Sequence, residues 1–213
     1  MKNTMRRISR CLLPLTALLS SACGAESIGT EAPVGEAEEA VTTCVTIQRG
    51  TGGATDDVAD ALLADVNEFK NFGASESLTA GRVSPGFRKA LLRFGLGAIP
   101  PGATIVSATA TLHVLLYGND GVTVDAYRVT APWTESAVTY TSFQNAYPLT
   151  VVASFPSGSP TSADLTALVQ AWVSGTVPND GLCLARQLTG STVFASSEIP
   201  DPSMRPSLRV CYQ

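Results

Sequence analysis

Within Thr104–Tyr117 the chain alternates: Ala108, Ala110, Leu112, Val114 and Leu116 share one parity, and Thr109, Thr111, His113 and Tyr117 share the other. A helix would scatter those apolar residues around its circumference. A strand puts them on one face, so this run specifies a half-buried antiparallel strand with a core on one side. It ends in Tyr117-Gly-Asn-Asp-Gly121, a hairpin signal leading into a second alternating run, Val122–Val129. Further short runs punctuated by glycine, proline and asparagine predict strands over Cys44–Gln48, Val58–Leu63, Ser77–Thr79, Arg88–Phe94, Val138–Tyr140, Val151–Phe155, Gly181–Arg186 and Leu208–Tyr212. The fold class is therefore all-β, and a sandwich is the economical way to cover so many one-faced strands.

One segment has a different period. Leu165, Leu168, Val169 and Trp172 recur at helical spacing, with Asp164 or Thr166 available as N-cap and Gly175 able to take a left-handed C-terminal position. A single short helix with one apolar face in a β chain should lid the end of the sandwich, with Trp172 as its plug.

The N-terminus reads as an export signal rather than as fold. Lys2, Arg6, Arg7 and Arg10 precede the apolar run Cys11–Leu19, which is too short to span a bilayer, and small residues lead up to Cys23. The cysteine behind Ser20-Ser21-Ala22 resembles a lipobox, with Cys23 as the lipidated residue; cleavage at the same place by the ordinary signal peptidase is the alternative. Residues 24–43 carry five glutamates and no basic residue, the composition of an acidic flexible tether, leaving 44–213 as a single domain. The formal net charge is −4 for the whole chain; without the four basic residues of the leader it is −8, and without the five tether glutamates −3. A mildly acidic domain argues against nucleic acid as a partner. The expected location is the outer membrane or cell surface as a lipoprotein, or otherwise the secreted fraction, with membrane contact through the lipid alone.

Export also governs the cysteines. Cys44, Cys183 and Cys211 remain for an oxidising compartment, an odd number. Cys44 opens the first strand and Cys211 sits in the last, so a Cys44–Cys211 bond would close the longest loop and constrain the unfolded chain most. Cys183, within Leu-Cys-Leu, would then be a buried free thiol.

An ordered set of short motifs carries a family resemblance: Asn71-Phe-Gly, Lys89-Ala-Leu-Leu-Arg-Phe94, Ile99-Pro-Pro-Gly-Ala-Thr-Ile-Val-Ser-Ala108, Trp133-Thr-Glu with Val138-Thr-Tyr, Asp164-Leu-Thr with Leu168-Val-Gln-Ala-Trp172, Asn179-Asp-Gly-Leu, and Ser196-Ser-Glu with Arg205-Pro-Ser-Leu. The succession resembles the DNRLRE-domain family, which is similar to carbohydrate-binding module family 96. The resemblance implies a jelly-roll type β-sandwich, secreted or surface-attached, that binds polysaccharide or builds cell-surface structure. Gly95, Tyr140 and Cys183 depart from the family pattern.

Catalytic chemistry is poorly supplied. The one histidine, His113, lies among threonines, and no Gly-x-Ser-x-Gly elbow is present. Asp125, Glu135, Asp164 and Glu198 are the acids from which a carboxylate pair would have to be drawn. No enzyme, no metal and no cofactor are expected. A structural calcium, were one used, would sit among Asp56, Asp57, Asp60 and Asp65 or at the oxygen-rich turn 118–121.

Binding is the better-supplied role. Sugars present apolar faces and hydroxyl edges, so their sites pair exposed rings with polar groups. The candidate ligand-binding residues are Tyr117, Asn119, Tyr127, Arg128, Trp133, Glu135 and Tyr140, with Tyr147 and Gln144 nearby. Parity puts Tyr127 with Thr123 and Asp125 on the outer face, making Tyr117 and Tyr127 the first place to expect a sugar. Trp133, after a proline at a turn, is expected to serve packing first, with Glu135 capping backbone donors. The expected function is non-catalytic binding of a polysaccharide or other cell-envelope component. The alternative is a structural or adhesive surface protein that binds protein partners or itself.

Overall fold

The computed structural model describes residues 41–117, 123–186 and 190–213. Its strands are β1 (Thr43–Gln48), β2 (Val58–Ala64), β3 (Ser77–Val83), β4 (Gly86–Phe94), β5 (Ile105–Leu112), β6 (Val114–Tyr117), β7 (Val124–Arg128), β8 (Val151–Phe155), β9 (Thr161–Asp164), β10 (Leu182–Ala185), β11 (Ser191–Ala195) and β12 (Ser207–Tyr212). Among the described residues two α-helices interrupt them, α1 (Tyr140–Phe143) and α2 (Thr166–Val173). The strands pair antiparallel in two sheets. One has the order β1-β12-β5-β9; the other runs β6-β11-β3-β4-β10-β7-β8, with β2 also pairing β4. The fold is an all-β sandwich, and none of the described helices is long and apolar enough to cross a membrane.

The core follows from alternation. Ala108, Ala110 and Leu112 of β5 meet Ala90, Leu92 and Phe94 of β4 and Leu182 and Leu184 of β10 in the main cluster between the sheets. The outer face of the larger sheet is covered too. Leu91, Cys183, Ala61, Leu63 and Tyr127 point away from the main core into a second apolar cluster, closed by Trp133, Val138 and Phe143. Those three come from residues 129–150, a strap that joins β7 to β8 and lies across the sheet. A strand covered on both faces loses its polar alternation, which is why β10 reads Leu-Cys-Leu-Ala and is wholly buried.

Helix α2 forms where expected. Asp164 accepts hydrogen bonds from the Thr166 amide (2.8 Å) and hydroxyl (2.5 Å), and Gly175 takes φ +71° at the far end. Val169 and Trp172 enter the main core. Gln170 sews the helix to the start of β5, accepting from the Ile105 amide at 2.8 Å and donating to the Ala103 carbonyl at 3.2 Å. Cys44 and Cys211 face each other across β1 and β12 and are disulfide-bonded, while Cys183 is free and buried.

Several expectations fail, each for a local reason. The run 104–117 is two strands, because the chain crosses from one sheet to the other at His113, whose carbonyl accepts from Ala195 (2.9 Å). Beyond the break parity no longer reports the core, and Leu116 is exposed. Strands β6 and β7 do not pair as a hairpin; they belong to opposite ends of the larger sheet. Val138–Tyr140 is no strand. Thr139 instead caps α1: its hydroxyl accepts from the Ser142 amide at 3.1 Å while the Ser142 hydroxyl accepts from the Thr139 amide at 2.9 Å. Gln144 and Asn145, both with φ above +50°, end the turn. Strands β9 and β11 were not anticipated, since Thr-Ser-Ala-Asp and Ser-Thr-Val-Phe-Ala are too short to carry a clear periodic signal.

Candidate functional site

The strap and the larger sheet enclose a cleft of about 420 Å³ lined by Phe87, Arg88 and Lys89 of β4, Ala185 and Arg186 at the end of β10, and Tyr140, Asn145, Tyr147 and Leu149 of the strap. Strand parity explains the charged lining. Lys89 shares the outer face with Leu91, but it lies one pair nearer the strand's start, past the edge of the second cluster. Its ammonium donates to the Asn145 side-chain oxygen and sits 5.1 Å from the Tyr147 ring centre and 5.5 Å from that of Tyr140. Burial pulls the Lys89 ammonium below its ordinary pKa. Among the described residues no carboxylate lies within ion-pair distance of it. Lys89 is thus a half-buried cation whose partners are an amide and two ring faces. Arg88 is shared with Asp65 at 3.6 Å, and Arg82 lies over the Phe87 ring at 4.2 Å. Cations therefore gather at one end of a domain whose net charge is negative.

Among the described rings offered for binding, Tyr140 and its neighbour Tyr147 reach this cleft. Tyr127 is on the outer face as its parity requires, but the strap covers that face: the residue is 2% exposed and its ring packs 5.1 Å from Tyr147. It is a packing residue, contrary to expectation. Trp133 is 8% exposed; its indole donates to the Asp180 carbonyl (2.8 Å) and Arg93 stacks on it at 5.2 Å. A smaller, mainly apolar hollow of about 290 Å³ lies beside it, without a charged group in its lining. Arg128, on the core-facing parity at the end of β7, does not line the cleft. The Tyr117 side chain, Asn119 and Cys23 lie outside the described residues. Sequence reasoning passed over Phe87, Arg88, Lys89 and Arg186. The available signal was Phe-Arg-Lys directly after the turn Ser84-Pro85-Gly86, an aromatic next to two cations where a core strand begins.

Glu135 belongs to a second polar constellation. It accepts from the Asp60 amide at 2.8 Å and from Arg49 Nη2 at 2.8 Å, so it does cap a backbone donor, though one on β2. Arg49 also donates to Glu198 and to the Val58 carbonyl (2.6 Å). Asp60 lies on the parity of Val58 and Leu62, facing the main core, and is wholly buried. Its Oδ2 accepts from the Ser197 amide at 2.7 Å, and its Oδ1 has no donor. Burial first, and then the nearby Glu198 charge, push its carboxyl up to about 8. Oxygens of Asp60, Glu135 and Glu198 lie within 4.8 Å of one another, close enough to bracket a cation, and the Arg49 guanidinium already supplies one.

The acids named as a possible calcium set are dispersed. Asp56 binds the Gly50 amide, Asp65 the Phe87 amide (2.9 Å), Asp57 abuts Gly95, and Asp60 joins the arginine cluster. Of the four acids weighed for a carboxylate pair, Glu135 and Glu198 meet. Asp125 accepts from Ser154, and Asp164 accepts from the Thr166 amide ahead of α2, whose N-cap position is Leu165 rather than the expected Asp164 or Thr166. No protein-family model matches this chain, and no curated protein matches it.

Proposed function

We propose that this protein is a non-catalytic carbohydrate-binding module that acts outside the cytoplasm, exported by the leader 1–23 and held through Cys23, with the cleft beside Lys89 as its sugar site. The observation that carries the reading is the half-buried Lys89 ammonium between Tyr140 and Tyr147. An ammonium withdrawn from water without a counter-ion gains most from an anion, and the flanking rings offer apolar faces to a sugar ring. A polysaccharide bearing carboxylate or sulfate groups supplies both. The resemblance to the DNRLRE-domain family supports the same class of ligand.

Affinity electrophoresis tests this with dextran sulfate and polygalacturonate against dextran and xylan. Retardation by the acidic polymers and not by the neutral ones is expected; equal mobility in all four gels would sink the reading.

A structural or adhesive role is favoured by one observation: Leu149 on the cleft rim and Phe69 are 78% and 76% exposed. Apolar side chains so open suit a protein partner. That reading predicts that Phe69→Ser, a change outside the cleft, abolishes partner binding or self-association, measured by sedimentation.

A further inference from the structure

We propose that the strap carrying the tyrosine wall of the cleft is clasped to the sandwich by a proton held in the Arg49–Asp60–Glu135–Glu198 cluster, so that alkaline pH loosens the strap and weakens ligand binding. The link to binding rests on the carbohydrate reading; the clasp itself does not.

The geometry is specific. Glu135 is the strap's charged attachment, and it is held by the amide of the buried residue Asp60 and by Arg49. The charges facing Asp60 come from three directions: Arg49 after β1, Glu135 from the strap, and Glu198 from the turn after β11. Beyond them Arg205 donates to the Arg49 carbonyl at 3.1 Å and is the next cation out. On β4, the residue paired with Asp60 is Leu92, which offers no charge. Three ionised carboxylates around one guanidinium would leave two negative charges uncompensated beside the wholly buried Asp60. One proton on Asp60 halves that excess; Oδ1, which has no donor, is free to carry it, and a Glu198 oxygen lies within 4.8 Å of the Asp60 carboxyl. Asp60 has its folded-state value raised from 3.8 to about 8. The native state therefore holds a proton that the unfolded chain gives up. The stabilisation is complete below the unfolded value and is lost as pH rises through about 8. Loss of the proton sets a full charge beside Glu135 and pushes on the strap that positions Tyr140, Asn145 and Tyr147. Burial also lowers the pKa of the Lys89 ammonium in the cleft, so binding alone does not isolate the clasp.

Hydrogen exchange of the full chain without ligand does isolate it. After correction for intrinsic rates, protection of strap amides 130–147 should fall roughly tenfold between about pH 7 and about pH 9. Protection of α2 should stay level. Asp60→Asn, a neutral replacement that keeps an acceptor for Ser197 and adds a donor for Glu198, should show a flat profile; Glu198→Gln should flatten it as well if the first variant folds poorly. Strap protection that ignores pH in the wild type, or that falls equally in both variants, would overturn the clasp. So would recovery of protection at about pH 9 on adding millimolar calcium, because a cation would then be taking the place assigned to the proton. In a second arm, dextran sulfate affinity should fall less with pH in Asp60→Asn than in the wild type. Identical losses would break the link to the cleft, whereas no dextran sulfate binding at any pH would count against the carbohydrate reading, with exchange still deciding the clasp.

Discussion

At the scale of single residues, two aromatic side chains that look alike in the sequence do different work. Trp133 closes the second cluster under the strap, with its indole hydrogen bond satisfied by Asp180. Trp133→Ala should cost about 3–5 kcal/mol in chemical denaturation, the usual penalty for an aromatic cavity plus an orphaned carbonyl. Tyr147 instead shows part of its ring to the cleft while its other contacts are Tyr127 and Phe143. Asp60 is the residue least expected from its position. An acid on the core-facing parity of a strand survives by being paired or neutral, and here burial keeps it neutral, so Asp60→Asn should raise stability relative to the wild type, by more at about pH 9 than at about pH 6 and least at about pH 4. Urea midpoints at these pH values check this; equal shifts at all of them would show that charge is not the issue.

At the scale of elements, the strap is the part that sequence periodicity describes worst and function needs most. Alternation located most strands because each has one face on a core, and helical spacing located α2 because its stripe meets that same core. Both signals depend on a regular backbone. The strap buries Trp133, Val138 and Phe143 from irregular chain, so no period marks it, and it hides Tyr127 on a face that parity correctly calls outer. The cleft was illegible for the same reason: Lys89, Asn145 and Arg186 are far apart in the chain and meet only because the strap folds over β4 and β10. The capping box at Thr139 was readable in principle, as Thr-x-x-Ser ahead of Phe143. Thr139→Ala should lose about 1 kcal/mol and fray α1, detectable as faster exchange of the Ser142 and Phe143 amides with that of α2 unchanged.

At the scale of the whole molecule, the first and last strands are neighbours, and the disulfide between Cys44 and Cys211 closes a separation of 167 residues. In the chain-entropy view a loop of that size stabilises the fold by about 5 kcal/mol, so a Cys44→Ala, Cys211→Ala protein should unfold at markedly lower denaturant concentration, with a steeper slope because the uncrosslinked chain exposes more surface when unfolded. The buried thiol of Cys183, pushed up to about 12 by burial, should stay unreactive toward thiol reagents until the domain unfolds. The sandwich so stapled is a rigid base for a cleft that concentrates cations on a domain of net negative charge, and that contrast is the core of the functional account. It is tested most directly by the dissociation constants of wild type, Lys89→Ala and Arg209→Ala for dextran sulfate, the last an exposed cation on the other sheet. Removing the half-buried ammonium should weaken binding roughly ten- to hundredfold, as expected for one charge-assisted hydrogen bond, while Arg209→Ala binds like the wild type. Equal affinity for all three proteins would contradict the assignment of the cleft.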